Sequence, residues 1–459
     1  VYNGTYYEHI YISESLSLIG ENKYATIIDG SGYGPIVEVV SYTRDVNITR
    51  FTIQNAGQWS WQNAAVCSYA EELCRISDTI ILNTYIGIAF VGYSGSNYNT
   101  VSGNSISNCT DIGIFFDGDV PSYYNTVSDN SISNSGTGIY FNYPYHNTIV
   151  DNSISNSLCG IAFNMGGSDN TLVGNTVTGC REYGIAIRYA DKNFVSGNTL
   201  LNNFYGIELS QSSCDNTVTG NNASGNGVGV SVFDNSNNNL ITMNDFSDSV
   251  PVGFYISNIG IWAESSHENT IRCNNITNNG CGFYLPSSSN NKIYHNNIID
   301  NTIQVYSFES ANTWDNGYPS GGNYWSDYTD VDLYSGPYQN ETGNDGIWDH
   351  PYVIDESNRD HYPFTPSDIT MLSVEPSSTE VYVGQIVNIT VTVQNQGNFT
   401  ETFDVTCKYE LEGIEHIIGT TTITDLAPEA NTSIVFTWTT TDITVHTIKA
   451  EIPPLTGET

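Results

Sequence analysis

Residues 170–187 read NTLVGNTVTGCREYGIAI. Three short runs alternate apolar and polar side chains, Asn170–Val173, Asn175–Thr178 and Gly184–Ile187. A period of two marks strands with one buried face. The phrase returns nine times. Its second Asn falls at Asn104, Asn130, Asn152, Asn175, Asn198, Asn221, Asn244, Asn274 and Asn296, at spacings of 26, 22, 23, 23, 23, 23, 30 and 22 residues. A period this regular decides the architecture before any single residue does. One repeat cannot bury its own apolar face, so neighbours must stack. Three strands and three corners per repeat make one coil of a parallel β-helix, with coils about 4.8 Å apart.

The repeat predicts several positions. Val101, Ile106, Ile114 and Phe116 point inward, as do Ile149, Ile154, Ile161 and Phe163. Identical amides one above another hydrogen-bond up the stack, so the nine Asn form a ladder at one corner. Gly113, Gly138, Gly160, Gly184, Gly206, Gly229 and Gly282 read as corners needing φ > 0. Weaker matches at Ile12, Leu16, Leu18, Thr26–Asp29, Ile48, Phe51, Ile53, Ile76 and Ile80 extend the pattern backward. The expected rod covers residues 1–313 in about twelve coils.

Composition narrows the function classes. The chain has 459 residues, 12 Lys and Arg against 49 Asp and Glu, and a net charge of −37. Nucleic acid and anionic membranes need clustered cations, so neither is an expected partner. No run of 18 apolar residues exists, so no membrane insertion is expected. Nine N-x-[ST] sequons, at Asn3, Asn47, Asn108, Asn222, Asn275, Asn340, Asn388, Asn398 and Asn431, mark candidate glycosylation sites of an extracellular glycoprotein. Asn222 and Asn275 follow a ladder Asn and face solvent on this reading. Of nine cysteines, Cys67 and Cys74 flank a short insertion and are expected to close it as a disulfide; Cys159 and Cys180 lie near one corner of successive coils and form a second candidate pair.

The repeat stops near Trp314. Residues 314–365 are acidic and aromatic and read as a cap over the open strand edges of the last coil. Asp327, Asp330, Asp332, Asp345 and Asp349 cluster around turns, and such oxygen donors suit Ca²⁺. Solvated turns are the competing reading, and the spacing matches no EF-hand. Residues 366–459 shift to Val, Thr and Ile, with strand-like runs at Thr370–Val374, Ile386–Gln394, Phe403–Leu411, Thr420–Thr424, Ser433–Thr439 and Val445–Ile452. Strands at this spacing suggest an antiparallel sandwich.

The N-x-I-x-N and G-I-x-F phrases, followed by GGNYWSDY, DLYSGPYQN, NDGIWD and PYVID, resemble the NosD-like right-handed parallel β-helix proteins. These carry carbohydrate-binding and sugar-hydrolase-type repeats and are common among secreted archaeal proteins. VGQIVNITVTVQNQGNFTETFDV and DLAPEANTSIVFTW resemble the CARDB-type (cell-adhesion-related) immunoglobulin-like module. Relative to that family a last strand is expected beyond Thr459. The resemblance implies an all-β chain: β-helix, capping segment, immunoglobulin-like sandwich.

For an enzyme, the nearest constellation is Asp117 and Asp119 with Arg188 and Asp191 three coils on, roughly 14 Å away and too far for a glycosidase pair. No catalytic residue is assigned. Copper chemistry, which the NosD name brings with it, lacks clustered soft ligands: eight His and three Met lie scattered. Tyr93, Tyr98, Tyr123, Tyr124, Tyr143, Tyr145 and Tyr189 follow the G-I-x-F strands and line up along one edge, for contact with carbohydrate or with a protein partner. Together these features predict an extracellular cell-surface structural or adhesive protein, with a homopolymer or filament subunit as one form and other surface proteins or surface polysaccharide as partners. The alternative is a polysaccharide-binding or polysaccharide-degrading β-helix protein.

Overall fold

The structure, a computed structural model, describes the chain apart from residues 59, 61, 70, 71, 93, 94, 119, 252–257, 367, 368, 396–400, 412, 413, 428, 429, 441–445 and 453–459. Two compact units form. One comprises Val1–Asn316, Trp325–Asp327 and Tyr352–Asp360; the other comprises Gly317–Tyr324, Tyr328–Pro351 and His361–Thr459.

The first unit is a parallel β-solenoid. The coil over residues 170–188 contains strands Thr171–Val173, Thr176–Thr178 and Tyr183–Arg188. They pair in register with Phe194–Ser196, Thr199–Leu201 and Tyr205–Ser210 of the next coil. Twelve strands of the first type form one continuous sheet. The predicted inward residues, from Val101 to Phe163, are all buried. Phe90, Phe116 and Phe141 stack at 4.6 and 4.3 Å between centroids.

The nine Asn stack as a ladder. From Asn130 onward each takes two donations on its Oδ1 from the preceding rung, as Asn175, Asn198 and Asn221 show, and all nine are buried. A second ladder of the same kind runs through the first Asn of each phrase, Asn99, Asn125, Asn147, Asn170, Asn193, Asn216, Asn239, Asn269 and Asn291, ending on Asn312. A third, mixed column holds Ser135, Ser157, Cys180, Asn203 and Asn226. Apart from the terminal Asn312, each ladder residue follows a left-handed one: Asp151, Gly174 and Gly197 before one column, Tyr124, His146 and Lys192 before another. The left-handed residue turns the chain, and the amide behind it satisfies backbone groups that the turn removes from the ladder.

The seven glycines before Ile are not left-handed corners, which corrects the expectation stated above. None has φ in that region. Instead a Cβ on Gly138 would lie 2.7 Å from the Gly160 carbonyl oxygen, and one on Gly184 2.6 Å from that of Gly206. The column exists because successive backbones pass too close for any side chain.

At the last coil Asn312 donates its backbone N–H to Oδ1 of Asn358, 2.9 Å, and Trp314 donates Nε1 to the same oxygen at 3.2 Å. Trp314 packs edge-on against Phe283, and Trp325 donates to buried Asp360 at 2.9 Å. Within this unit, then, two tryptophans and Asn358 close the top of the ladder.

In the second unit, residues 369–451 form two antiparallel three-stranded sheets. One orders Ile369–Pro376, Ile386–Asn395 and Asn431–Thr439; the other orders Ile414–Leu426, Glu401–Leu411 and Thr447–Glu451. Their inner faces meet in a core of Val387, Ile389, Val391, Phe403, Val405, Cys407 and Phe436.

Candidate functional site

The outward side of the long-strand wall carries the densest chemistry. In G-I-x-F the residue x points out, and its register column reads Phe115, Tyr140, Ala162, Ala186, Glu208, Ser231, Trp262, Tyr284 and Tyr306. With flanking Tyr183, Tyr205 and Phe233 it makes a run of rings. Centroids lie 5.3 Å apart for Tyr183–Tyr205, then 6.1, 5.1, 5.3 and 4.9 Å through Phe233, Trp262, Tyr284 and Tyr306. Trp262 stands at 80° to Phe233 and 79° to Tyr284, so neither lies flat on the indole.

Polar groups border the rings. Arg188 donates Nε to Oε1 of Glu208 at 2.8 Å, Ser210 donates to the same oxygen, and the guanidinium sits 4.5 Å from the Tyr183 ring centre. The Glu208 side chain is 5% exposed, so this ion pair is largely desolvated. Burial first, then Glu208, pushes the Tyr205 phenol up to about 12 and raises Tyr183 likewise. Both stay neutral donors. Trp262 donates Nε1 to Glu264 at 3.2 Å.

Asp117 and Arg188 share a register column, three coils apart, with Asn142 and Asn164 between them. Asn142 donates Nδ2 to Asp117 at 2.7 Å, and Asn164 donates to the Tyr140 hydroxyl at 2.9 Å. Asp191 instead accepts the Cys214 amide at 2.7 Å, away from Arg188, and Asp119 lies outside the described residues. The notable residues here, Glu208 and Trp262 above all, were missed in the sequence. Their signal was present: an aromatic or acidic residue at x in a strand whose neighbours alternate.

The tyrosine edge is a different surface. Tyr98 stacks on Tyr124 at 5.2 Å and 13°, and Tyr124 on His146 at 5.2 Å and 9°. Their ring faces cover one another, leaving mainly edges to a ligand. Tyr123 and Tyr145 form a tilted pair beside them. Tyr143 and Tyr189 are left-handed residues at the start of the same corner, and Tyr93 lies outside the described residues.

The proposed calcium donors are engaged elsewhere. Asp332 accepts the amides of Gly346 and Asp345, Asp349 those of Leu333 and Tyr334, Asp345 that of Ile347, and Asp330 the amide and ring of His350. Asp327 accepts the Tyr352 hydroxyl. Among the described residues no three His, Cys, Asp or Glu side chains form a group that could hold a metal ion. As arranged, these carboxylates brace turns through backbone amides.

Cys67 and Cys74 are free thiols, which corrects the disulfide expectation. Cys67 packs on the outer face with Ala64, Ile86 and Ala89, whereas its neighbour Ser68 faces inward, 3.6 Å from the Cys74 sulfur. Alternation puts the two thiols on opposite sides of the wall. Cys159 and Cys180 are also free. Of the sequons, Asn3, Asn108, Asn222, Asn340, Asn388 and Asn431 are exposed, Asn47 and Asn275 are half-buried, and Asn398 lies outside the described residues.

The family described as periplasmic copper-binding protein (NosD) matches residues 119–262 and 255–330, the right-handed beta helix region matches 37–164, and CARDB matches 367–454. The chain is thus a NosD-like right-handed parallel β-helix protein with a C-terminal CARDB module. No curated protein matches it. Among solved structures it is similar to the catalytic unit of a GH87 α-1,3-glucanase from Streptomyces thermodiastaticus, at 15% identity over 67% of this chain and 62% of that one, TM-score 0.51. It is also similar to a mannuronan C-5 epimerase A-module from Azotobacter vinelandii, at 13% over 68% and 90%, TM-score 0.45. The Dettilon tailspike protein gives 14% over 94% and 86%, TM-score 0.47. At such identities the shared property is the fold. Among the described residues no three His, Cys, Asp or Glu side chains gather into a donor set that fits the copper in the family's description, and burial pushes the Cys67 and Cys159 thiols up to about 12 and the Cys109, Cys180 and Cys281 thiols up to about 11.

Proposed function

We propose that this is an exported, adhesive glycan-binding protein whose rod holds a polysaccharide lengthwise on the outward long-strand face, without cleaving it. The observation that carries the reading is the run of rings from Tyr183 to Tyr306, bordered by the Arg188–Glu208 pair. Rings supply apolar area to sugar C–H faces, while neutral phenols and amides hydrogen-bond hydroxyls. Coil spacing of about 4.8 Å repeats the contact along the rod, and repeated weak contacts add.

Cleavage is disfavoured by the carboxylates. Asp117 lies four coils from Glu208, roughly 19 Å along the rod, against about 5–9.5 Å for a glycosidase pair. Glu208 is committed to Arg188 and Ser210. The acidic chain, the sequons and the CARDB module support a surface location.

A glycan array followed by calorimetry tests the reading. Binding should occur and weaken about tenfold in Trp262→Ala, with no reducing ends released. Release of reducing ends that disappears in Arg188→Ala or Asp117→Ala would replace binding with catalysis.

A further inference from the structure

The corner before the second Asn of each phrase carries a column of left-handed residues. It reads Gly103, Asp129, Asp151, Gly174, Gly197 and Gly220 through six successive coils. These types take positive φ at small cost: glycine has no Cβ, and the short aspartate side chain bonds locally. In the next three coils the column changes to Met243, Cys273 and His295, with φ of 56, 56 and 58°. Met and Cys have neither advantage. An unfavourable conformation kept in consecutive coils points to a use for the side chains it presents.

Strand pairing fixes their juxtaposition. Thr242, Arg272 and Tyr294, one residue earlier, pair in register, and Asn244, Asn274 and Asn296, one residue later, bond rung to rung. The three side chains therefore leave backbones about 4.8 Å apart, and matching backbone angles send them the same way. Met243 is 61% exposed, and Cys273 and His295 are half-buried, so the column faces solvent. In the sequence these residues lie 30 and 22 positions apart, which hides the group.

A thioether, a thiol and an imidazole meet here. The thioether completes a donor group that, among the described residues, imidazole, thiol and carboxylate alone do not form. Sulfur donors select soft cations, so calcium and magnesium are poor occupants. Structural zinc takes four ligands, whereas this column offers three. We propose that Met243, Cys273 and His295 form a three-coordinate site for Cu(I). Metal–sulfur bonds of about 2.3 Å and a metal–nitrogen bond of about 2 Å are within reach. Met243, with its flexible stem, closes from one side of Cys273 and His295 from the other. The thiol proton leaves to water as the copper–sulfur bond forms, and no electron moves. Arg272 donates Nη1 to the Cys273 sulfur at 3.8 Å and offsets the charge of the thiolate. The site lies at the corner between the two short strands of each coil, away from the long strands that bear the rings, and stands independently of the glycan reading.

Anaerobic titration of the full, reduced chain against Cu(I) held by bathocuproine disulfonate tests this. The chain should withdraw copper from the chelator, and its melting temperature should rise on loading. Met243→Leu keeps the size and removes the sulfur, and should weaken Cu(I) binding about tenfold; Cys273→Ser should weaken it about a hundredfold. Both should melt with the parent in the absence of metal. X-ray absorption should show one sulfur neighbour fewer in Met243→Leu than in the parent. Cys214→Ser, which removes another half-buried thiol, should leave binding unchanged. Failure to withdraw copper would overturn the assignment, as would tighter binding of Zn²⁺ than of Cu(I). Affinity equal to the parent's in both Met243→Leu and His295→Gln would also overturn it, by leaving a single thiol as the whole site.

Discussion

Asn198 donates twice to one atom: its backbone N–H and its Nδ2 reach Oδ1 of Asn221 at 3.0 and 2.9 Å. Its own Oδ1 takes the same pair of donations from Asn175, and its Nδ2 also reaches the Leu172 and Ser196 carbonyls. Asn198→Ala therefore strands several buried backbone groups at once. Urea unfolding should show a loss of about 3 kcal/mol. Asn222→Ala, one position after the next rung and exposed, should change stability by less than about 0.5 kcal/mol. Equal effects at the two sites would mean the ladder is not what holds the coils.

Glycines in this chain divide by cause, and substitution separates the causes. Gly184→Ala would drive a Cβ to 2.6 Å from the Gly206 carbonyl oxygen, backbone that cannot swing aside. Gly197 has φ +62 and nothing within 4 Å of an added Cβ. Overpacking at Gly184 should cost about 3 kcal/mol, whereas Gly197→Ala should cost about 1 kcal/mol and Gly197→Asn less. Thermal melts of the three variants give the order directly.

The sequence made the rod legible because its period and its alternation are both properties of the backbone. Val101, Ile106 and Phe163 are buried as their spacing predicts. Gly184 misled because the residue type is shared by two causes, a left-handed turn and a close approach, and only register tells them apart. Trp262 and Glu208 were overlooked for a similar reason. Outward positions vary from coil to coil, so a reading built on recurrence discards them. Only the stacking of x upon x shows that these varying residues form one surface.

Thiol chemistry offers an independent check on the wall geometry. Cys67 and Cys74 face opposite sides, and burial pushes the Cys67 thiol up to about 12. Intact mass under non-reducing conditions should show no bridge between residues 67 and 74. Alkylation of the folded protein at about pH 8 should leave Cys67 unlabelled until denaturant is added, because the thiolate is the reactive form. A bridged peptide in a digest would require the wall to open between the two.

Asp332 makes stability depend on pH in an unusual direction for a carboxylate. Its carboxyl is lifted to about 6, by burial first, with Asp345 and Asp349 adding repulsion against the pull of the Gly346 and Asp345 amides. An unfolded Asp titrates near about 3.9, so between about pH 4 and pH 6 the folded chain holds the extra proton. This group's contribution is therefore fully present at the acid end of that window and lost as pH rises through it. The parent's melting temperature should therefore fall as pH rises from about 4 to about 6, whereas Asp332→Asn, which cannot titrate but turns an NH2 group toward one of the Gly346 and Asp345 amides, should lose stability overall and show a flatter pH profile. A parent that gains relative to the variant as pH rises would mean the carboxylate is favoured in the fold. Calcium separates the two arrangements of charge. With their oxygens turned to backbone amides, Asp330, Asp332, Asp345 and Asp349 should give the same melting temperature after chelation and after adding Ca²⁺. A calcium-dependent rise that Asp332→Asn abolishes would instead show that these side chains leave their amides for a cation.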